Sequence, residues 1–163
     1  MGYLHSRESI LEAAVEVALE LGMAGLTFSK VGARLGISDR TVVYYFPNKQ
    51  ALIGAVASAL VKDLEGLLDQ AFGSTPRSER ELVKRSWPAL TTPRADHVFR
   101  LYFEIVGLAA AGQAQFMELA QSLVGGWVQW LMPRTVGTDE HTQRVLALSA
   151  IARIDGLLLV RQV

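Results

Sequence analysis

The 163-residue chain predicts an all-α fold, with an N-terminal three-helix domain carrying a helix-turn-helix and a larger helical body. Three observations carry that expectation. Apolar residues recur at three- and four-residue spacing along most of the chain, the pattern of helices with one buried face. Capping residues and Gly or Pro stops cut that pattern into short helices first and long ones afterwards. Gly73-Ser74-Thr75-Pro76 is the clearest break, and reads as a loop. Half of the residues are hydrophobic and no low-complexity tract appears, so the chain can build a sizeable core.

From Ser6, the residues Ile10, Leu11, Ala14, Val17, Ala18 and Leu21 line one face of a helix that Gly22 stops. Thr27 is placed to cap a second helix with Phe28, Val31 and Leu35 inward, although Lys30 sits where a capping box would have Glu or Gln. Gly36 ends it. Ser38 then caps a third helix, which Pro47 terminates because the residue before a proline is pushed out of the α region. Two short helices joined by a glycine-containing turn make a helix-turn-helix.

At about 100° per residue, Val42 and Phe46 lie within about 40° of each other and can be buried together. Arg40, Thr41 and Tyr44 then point outward, with Val43 and Tyr45 on the flanks. A guanidinium, a hydroxyl and a phenol on one face suit a DNA groove, because Arg can pair with a guanine edge and hydroxyls reach phosphates. The same residues on an ordinary core helix would form a solvated face. Net charge is zero, yet Lys30, Arg34, Arg40 and Lys49 face a single Asp39 between Leu26 and Gln50, while Glu8 to Glu20 holds four glutamates.

Ile10-Leu11, Ala13-Ala14, Gly22, Leu26-Thr27, Val31-Gly32, Leu35-Gly36-Ile37-Ser38 and Thr41 through Leu52 resemble, in order and spacing, the N-terminal domain of the TetR family of bacterial transcriptional regulators. The resemblance covers about the first third of the chain. It implies an all-α homodimer whose third helix enters the major groove and whose variable C-terminal domain binds a small molecule. It also implies phosphate contacts near Thr27 and Ser29, on Tyr44 and Tyr45, and on Lys49, with Ser38, Arg40 and Thr41 completing the candidate DNA-contact set. Val43 stands where the family very often has tyrosine. Gly32 stands where it usually has alanine, which weakens the second helix. Lys49 also opens a fourth helix capped by Asn48, and a cation there is explained by a bound anion.

The domain expected over 1–48 is followed by a body over 49–163. Its first helix runs from Lys49 toward Ala71 with Leu52, Ile53, Val56, Leu60, Leu64 and Leu67 on one side. Ser78 and Glu81 form a capping box for a helix ending near Trp87-Pro88, and Thr92-Pro93 opens the next, which is apolar nearly all round. A helix from Gln115 to Met132 stops at Pro133, and Thr138 can cap the last one. Trp87, Phe99, Tyr102, Phe103, Phe116, Met117 and Trp130 are the candidate ligand-binding residues, with His97, Glu104, Gln113 and Gln115 as polar handles. Aromatic residues at helical spacing also build plain core. Leu123, Trp127, Leu131, Ile154, Leu157 and Leu158 are the candidate dimer-interface residues, since the last two helices carry more apolar surface than a small body can bury. Gly125, Gly126 and Gly156 favour close helix approach there; the competing reading is a single-chain core. Asp155, inside an apolar run, is expected to make a buried or interfacial hydrogen bond.

His5, His97 and His141 are scattered, cysteine is absent, and no phosphate loop or paired-ligand spacing appears, so nothing nominates a catalytic group, a metal or a cofactor. The N-terminus does not read as a signal peptide, and no run is long enough to span a bilayer, so a cytoplasmic protein is expected. No stop signal precedes Val163, which leaves room for a tail. The expected function is a ligand-responsive transcriptional regulator, a repressor released from a palindromic operator by a small hydrophobic effector. Its partners would be double-stranded DNA, the effector and a second copy. The alternative is an all-α dimeric interaction module without sequence-specific DNA recognition.

Overall fold

The computed structural model describes residues 6–163; His5 and the rest of the first five residues lie outside them. Helix α1 spans Arg7–Gly25, and its start is fixed by Ser6, whose hydroxyl accepts from the Ser9 amide at 3.2 Å. Ile10, Ala14, Val17 and Ala18 form its buried face. Gly22 breaks the helix in the left-handed region, at φ 77° and ψ 168°, and leaves a last turn of Met23–Gly25. Helix α2, Phe28–Leu35, begins on Thr27, whose hydroxyl accepts from the Lys30 amide, and ends on Gly36. Helix α3 covers Asp39–Tyr45.

Helix α4, Lys49–Phe72, is capped by Asn48, whose side-chain oxygen accepts from the Ala51 amide at 2.8 Å. Leu52, Val56, Leu60, Leu64, Leu68 and Phe72 are buried at every fourth position. Each step of four turns the buried face by about 40°, roughly 200° from Leu52 to Phe72. One end of α4 can therefore pack on α1 while the other packs on the body. Leu67, expected on this stripe, is exposed, because the repeat stays at four and Leu68 takes the inward position.

Helix α5 spans Glu79–Leu90 and opens with the Ser78–Glu81 capping box. It does not end at Trp87-Pro88: Pro88 lies inside it, at the cost of the one backbone hydrogen bond that its missing amide would have made to the preceding turn. Buried Leu90, and Thr91, which donates to the Trp87 carbonyl at 2.8 Å, hold the last turn. Helix α6, Pro93–Ala110, begins on Thr92 with proline in its first turn, and α7 spans Ala114–Leu131. A 3-10 turn, Met132–Arg134, carries Pro133. Helix α8, Glu140–Arg161, is capped by Asp139 and not by Thr138; the Asp139 carboxylate accepts from the Thr142 amide at 2.9 Å. The α4–α5 loop is pinned where Arg77 pairs with Thr135, the Arg77 amide donating to the Arg134 carbonyl at 2.9 Å. No β-strand occurs among the described residues.

The buried side chains form one connected cluster from Ile10 in α1 to Leu158 in α8, so the N-terminal head and the body share a core. Their tightest polar link is Glu104 of α6, whose carboxylate accepts from the amides of Met23 and Ala24, each at 2.8 Å. These amides are exposed to a partner because Gly22 interrupts α1. A Cβ on residue 22 would lie 2.9 Å from Glu104 Oε2, so glycine there provides both the backbone angle and the room. Gly32 has a comparable role: its Cβ would meet the Ile37 carbonyl oxygen at 2.7 Å, where the turn between α2 and α3 closes on α2. Glycine weakens an isolated helix, but here it permits the turn.

Replacing Glu104 by Ala should lower unfolding stability by about 2 kcal/mol, since two charge-assisted hydrogen bonds are lost at a partly exposed site. Glu104→Gln, with one acceptor oxygen, should lose about half of that; urea unfolding measures both. Gly32→Ala should destabilise in the same assay, against the gain of roughly 1 kcal/mol that helix propensity alone predicts.

Candidate nucleic-acid interface and buried cavity

The head presents α3 by burying one side of it. Val42 and Phe46 are inside, and the Arg7 guanidinium covers the Phe46 ring at 4.9 Å. Arg40 and Tyr44 are exposed on the other side, Tyr44 at 71 %, while Thr41 and Tyr45 are half-buried. The Tyr44 and Tyr45 rings meet edge to face at 5.0 Å. Val43 is exposed beside Tyr44.

Several hydroxyls on this surface already have partners. Thr27 caps α2. Ser38 occupies the cap position of α3 but makes no side-chain bond to a backbone amide; its hydroxyl lies 3.1 Å from that of Thr41. Ser29 is exposed in the first turn of α2. Lys49 is also held within the chain, donating to the Ala24 carbonyl at 3.3 Å, and Lys30 donates to the Gly25 carbonyl at 3.1 Å. A partner for the Lys49 cation therefore exists without a bound anion. Arg34 pairs with Glu20 at 2.5 Å, and its hydrogen bond lowers the Glu20 pKa, so part of the positive charge counted in this segment is neutralised by α1.

In the body, α4, α5, α6, α7 and α8 line a cavity of about 50 Å³. Phe99, Tyr102 and Trp130 line it together with Trp127, Leu131, Ile154 and Asp155. A second void of about 30 Å³ shares Leu64, Phe99, Tyr102 and Trp127 with the first and extends to Met23 beneath the head. Of the other candidate ligand residues, Phe116 lines an open cleft of about 1140 Å³ where the start of α4 faces Gln113–Leu119, whereas Trp87, Phe103 and Met117 line none of these spaces. The cleft is lined about equally by polar and apolar surface, whereas the smaller cavity is lined almost wholly by apolar surface, so the latter is the better candidate for an apolar ligand.

None of the expected polar handles reaches that cavity. His97, Gln113 and Gln115 are exposed, and Glu104 is committed to the head. Its carboxylate is Asp155, which accepts a hydrogen bond from the Tyr102 hydroxyl at 3.0 Å. Burial pushes the Asp155 carboxyl up to about 6, and the Tyr102 hydrogen bond only partly offsets this. Burial and the nearby carboxylate raise the Tyr102 phenol. A lone acid in an apolar run was the available signal for this group, but sequence spacing alone does not show which cavity it meets.

The last two helices divide their apolar residues between an inner and an outer face. Leu131, Ile154 and Leu158, expected at an interface between chains, are buried in the chain's own core, because α8 turns Ala147, Ala150, Ile154 and Leu158 inward at helical spacing. Leu123 and Trp127 are half-buried and Leu157 is exposed. Val145, Leu148, Leu159 and Val160 add exposed apolar surface to α8. Gly125, Gly126 and Gly156 are exposed, with nothing within 4 Å of an added Cβ.

Among the described residues, no three His, Asp or Glu side chains converge as a metal site would require, and no helix is long and apolar enough to cross a membrane. Residues 10–56 match the family model described as bacterial regulatory proteins, tetR family. Over 52 residues the chain is 42% identical to the class D tetracycline repressor protein of Escherichia coli, covering 32% of this chain and 24% of that protein. The chain thus matches about a quarter of that repressor's length. An uncharacterized HTH-type transcriptional regulator of Bacillus subtilis, YvdT, is 27% identical over 144 residues, 85% of this chain and 71% of that one. A putative TetR-family transcriptional regulator from Rhodococcus sp. shares the fold, with a TM-score of 0.73 at 18% identity over 93% of this chain and 84% of the other. The helix-turn-helix head is thus similar to the N-terminal segment of bacterial regulatory proteins of the tetR family, and the helical body shares the fold of a regulator so described.

Proposed function

We propose that the chain is a ligand-responsive transcriptional repressor that binds a palindromic DNA operator as a homodimer and leaves it when a small hydrophobic effector enters the body. The observation that carries this reading is the presentation of α3: Val42 and Phe46 anchor it, and Arg40, Thr41 and Tyr44 lie toward the opposite side. Repression is named for the similar tetracycline repressor and is carried here from that likeness. Tyr44, Tyr45, Ser29 and Lys49 would supply phosphate contacts, the last by exchanging its bond to Ala24 for one to DNA. Thr27 and Ser38 would act chiefly by holding the helix starts near the backbone. Acting on DNA in a bacterium, the protein would work in the cytoplasm, and no catalytic step enters the reading.

Effector response follows from the size of the cavity. Pockets for drug-sized ligands hold about 300–1,000 Å³, far more than the roughly 50 Å³ present here. A ligand can enter only by moving α4, α6, α7 and α8 apart. Two of these, α4 and α6, also hold the head. A difference of about 3 kcal/mol in ligand affinity between the closed and expanded bodies would weaken DNA binding more than a hundredfold.

A second copy would cover the outer face of α8 and the exposed glycines of α7, completing a four-helix bundle about a two-fold axis. Duplexes selected from a random-sequence pool by the purified chain should converge on a palindrome, and anisotropy should show Arg40→Ala losing more affinity for it than for random DNA. Equal losses on both would remove base reading from Arg40. Leu157→Glu should give monomers by light scattering with the helical signal retained, whereas an intact dimer would move the interface away from this face.

A further inference from the structure

The body cavity contains a group that an apolar ligand alone would not require. Asp155 lies in its wall among Phe99, Tyr102, Trp127 and Trp130, and among the described residues no lysine, arginine or histidine lines the same space. Its hydrogen-bond partner is a neutral phenol. The nearest arginines along α8 are engaged elsewhere: Arg153 pairs with Glu79, and Arg161 with Asp96. Removing a carboxylate from water without a counter-cation is unfavourable, and the acid is accordingly raised. An amide or an aliphatic side chain at this position would avoid that cost.

The surrounding rings favour the same missing charge. Trp127 and Trp130 stand edge to face at 5.4 Å, and Phe99 and Tyr102 at 6.1 Å. The faces of aromatic rings attract cations, most strongly once both are out of water. We propose that this cavity takes an organic monocation with an aromatic or apolar body, its positive centre paired with Asp155 and its body lying among the four aromatic side chains. An anion would be repelled by Asp155, and a neutral ligand would bury the carboxylate still unpaired. The adjoining void shares Phe99, Tyr102 and Trp127, so moving these side chains joins the two spaces into one slot reaching toward Met23.

This inference deepens the effector half of the proposed function, but it is tested on the full chain without DNA, so loss of DNA binding would leave it standing. The probes are 10-methylacridinium, a permanent cation, and uncharged acridine at pH 8, each titrated by fluorescence. The wild-type chain should bind the cation at least tenfold more tightly than acridine. Asp155→Asn should abolish that preference and keep acridine affinity within about twofold, with thermal unfolding confirming the fold. Wild-type affinity for the cation should fall about tenfold from pH 7 to pH 5, as a carboxyl titrating near 6 is protonated. Among the described residues Tyr102 is the only other titratable group lining the cavity, and its raised phenol stays neutral throughout. A flat wild-type pH response, equal affinity for the two probes, no saturable binding of the cation, or an Asp155→Asn chain that still prefers the cation would each overturn the proposal.

Discussion

The bidentate grip of Glu104 on the backbone of residues 23 and 24 is the constraint on which the relation of head to body depends. A helix interrupted at Gly22 exposes amides that have no partner of their own, and a carboxylate is the acceptor best suited to them. The other side of the same turn is held by cations, with Lys49 of α4 on the Ala24 carbonyl and Lys30 of α2 on the Gly25 carbonyl. Three elements therefore converge on three residues. The side chain of Met23 is fully buried beneath this turn, so the polar grip and the shared core hold the same point.

That convergence connects the cavity with α3. Tyr102, which lines both voids, stands two residues before Glu104 on α6. Hydrogen bonds of 2.8 Å weaken steeply when lengthened or turned, so α6 cannot move to admit a ligand while leaving the turn at Met23 unchanged. Helix α4 offers a parallel route. Its buried face rotates by roughly 200° along its length, so outward movement at Leu68 and Phe72 changes the angle at which Leu52 and Val56 meet the head. Both routes act through packed or bonded contacts with definite geometry, as a two-state response requires.

The features legible in the sequence were those that depend on chain neighbours. Thr27, Asn48, Ser78 and Thr92 all cap the helices expected of them because a cap and its amide lie within three residues. The burial of Val42 and Phe46 followed from a helical wheel. Partners distant in sequence were not visible in this way: Glu104 is 81 residues from Met23, and Tyr102 is 53 from Asp155. Sequence alone consequently sets Glu104 among the polar groups near the pocket and gives Lys49 no partner but an anion. Thr138 and Asp139 are both good caps, and only the path of the preceding turn decides between them. Propensity makes Gly32 a weak point of α2, whereas its worth lies in the approach of Ile37. Phe99, Tyr102 and Trp130 could not be separated from Trp87, Phe103 and Met117 by composition, since all are aromatic or soft apolar residues at helical spacing.

Helix α8 has two tasks whose demands differ. Its inner face, Ala147 to Leu158, closes the core, and Asp155 beside that face enters the cavity wall. Its outer face carries Val145, Leu148, Leu159 and Val160, which in the proposed dimer are covered by a second copy. A helix packed on both sides is the wall least able to yield, because moving it would disturb two interfaces together. Expansion around a ligand would then fall on α4 and α6, the helices that hold the head. Covering the outer face of α8 would thus do more than stabilise a dimer. It would direct the movement that ligand entry requires toward the helix-turn-helix end of the molecule.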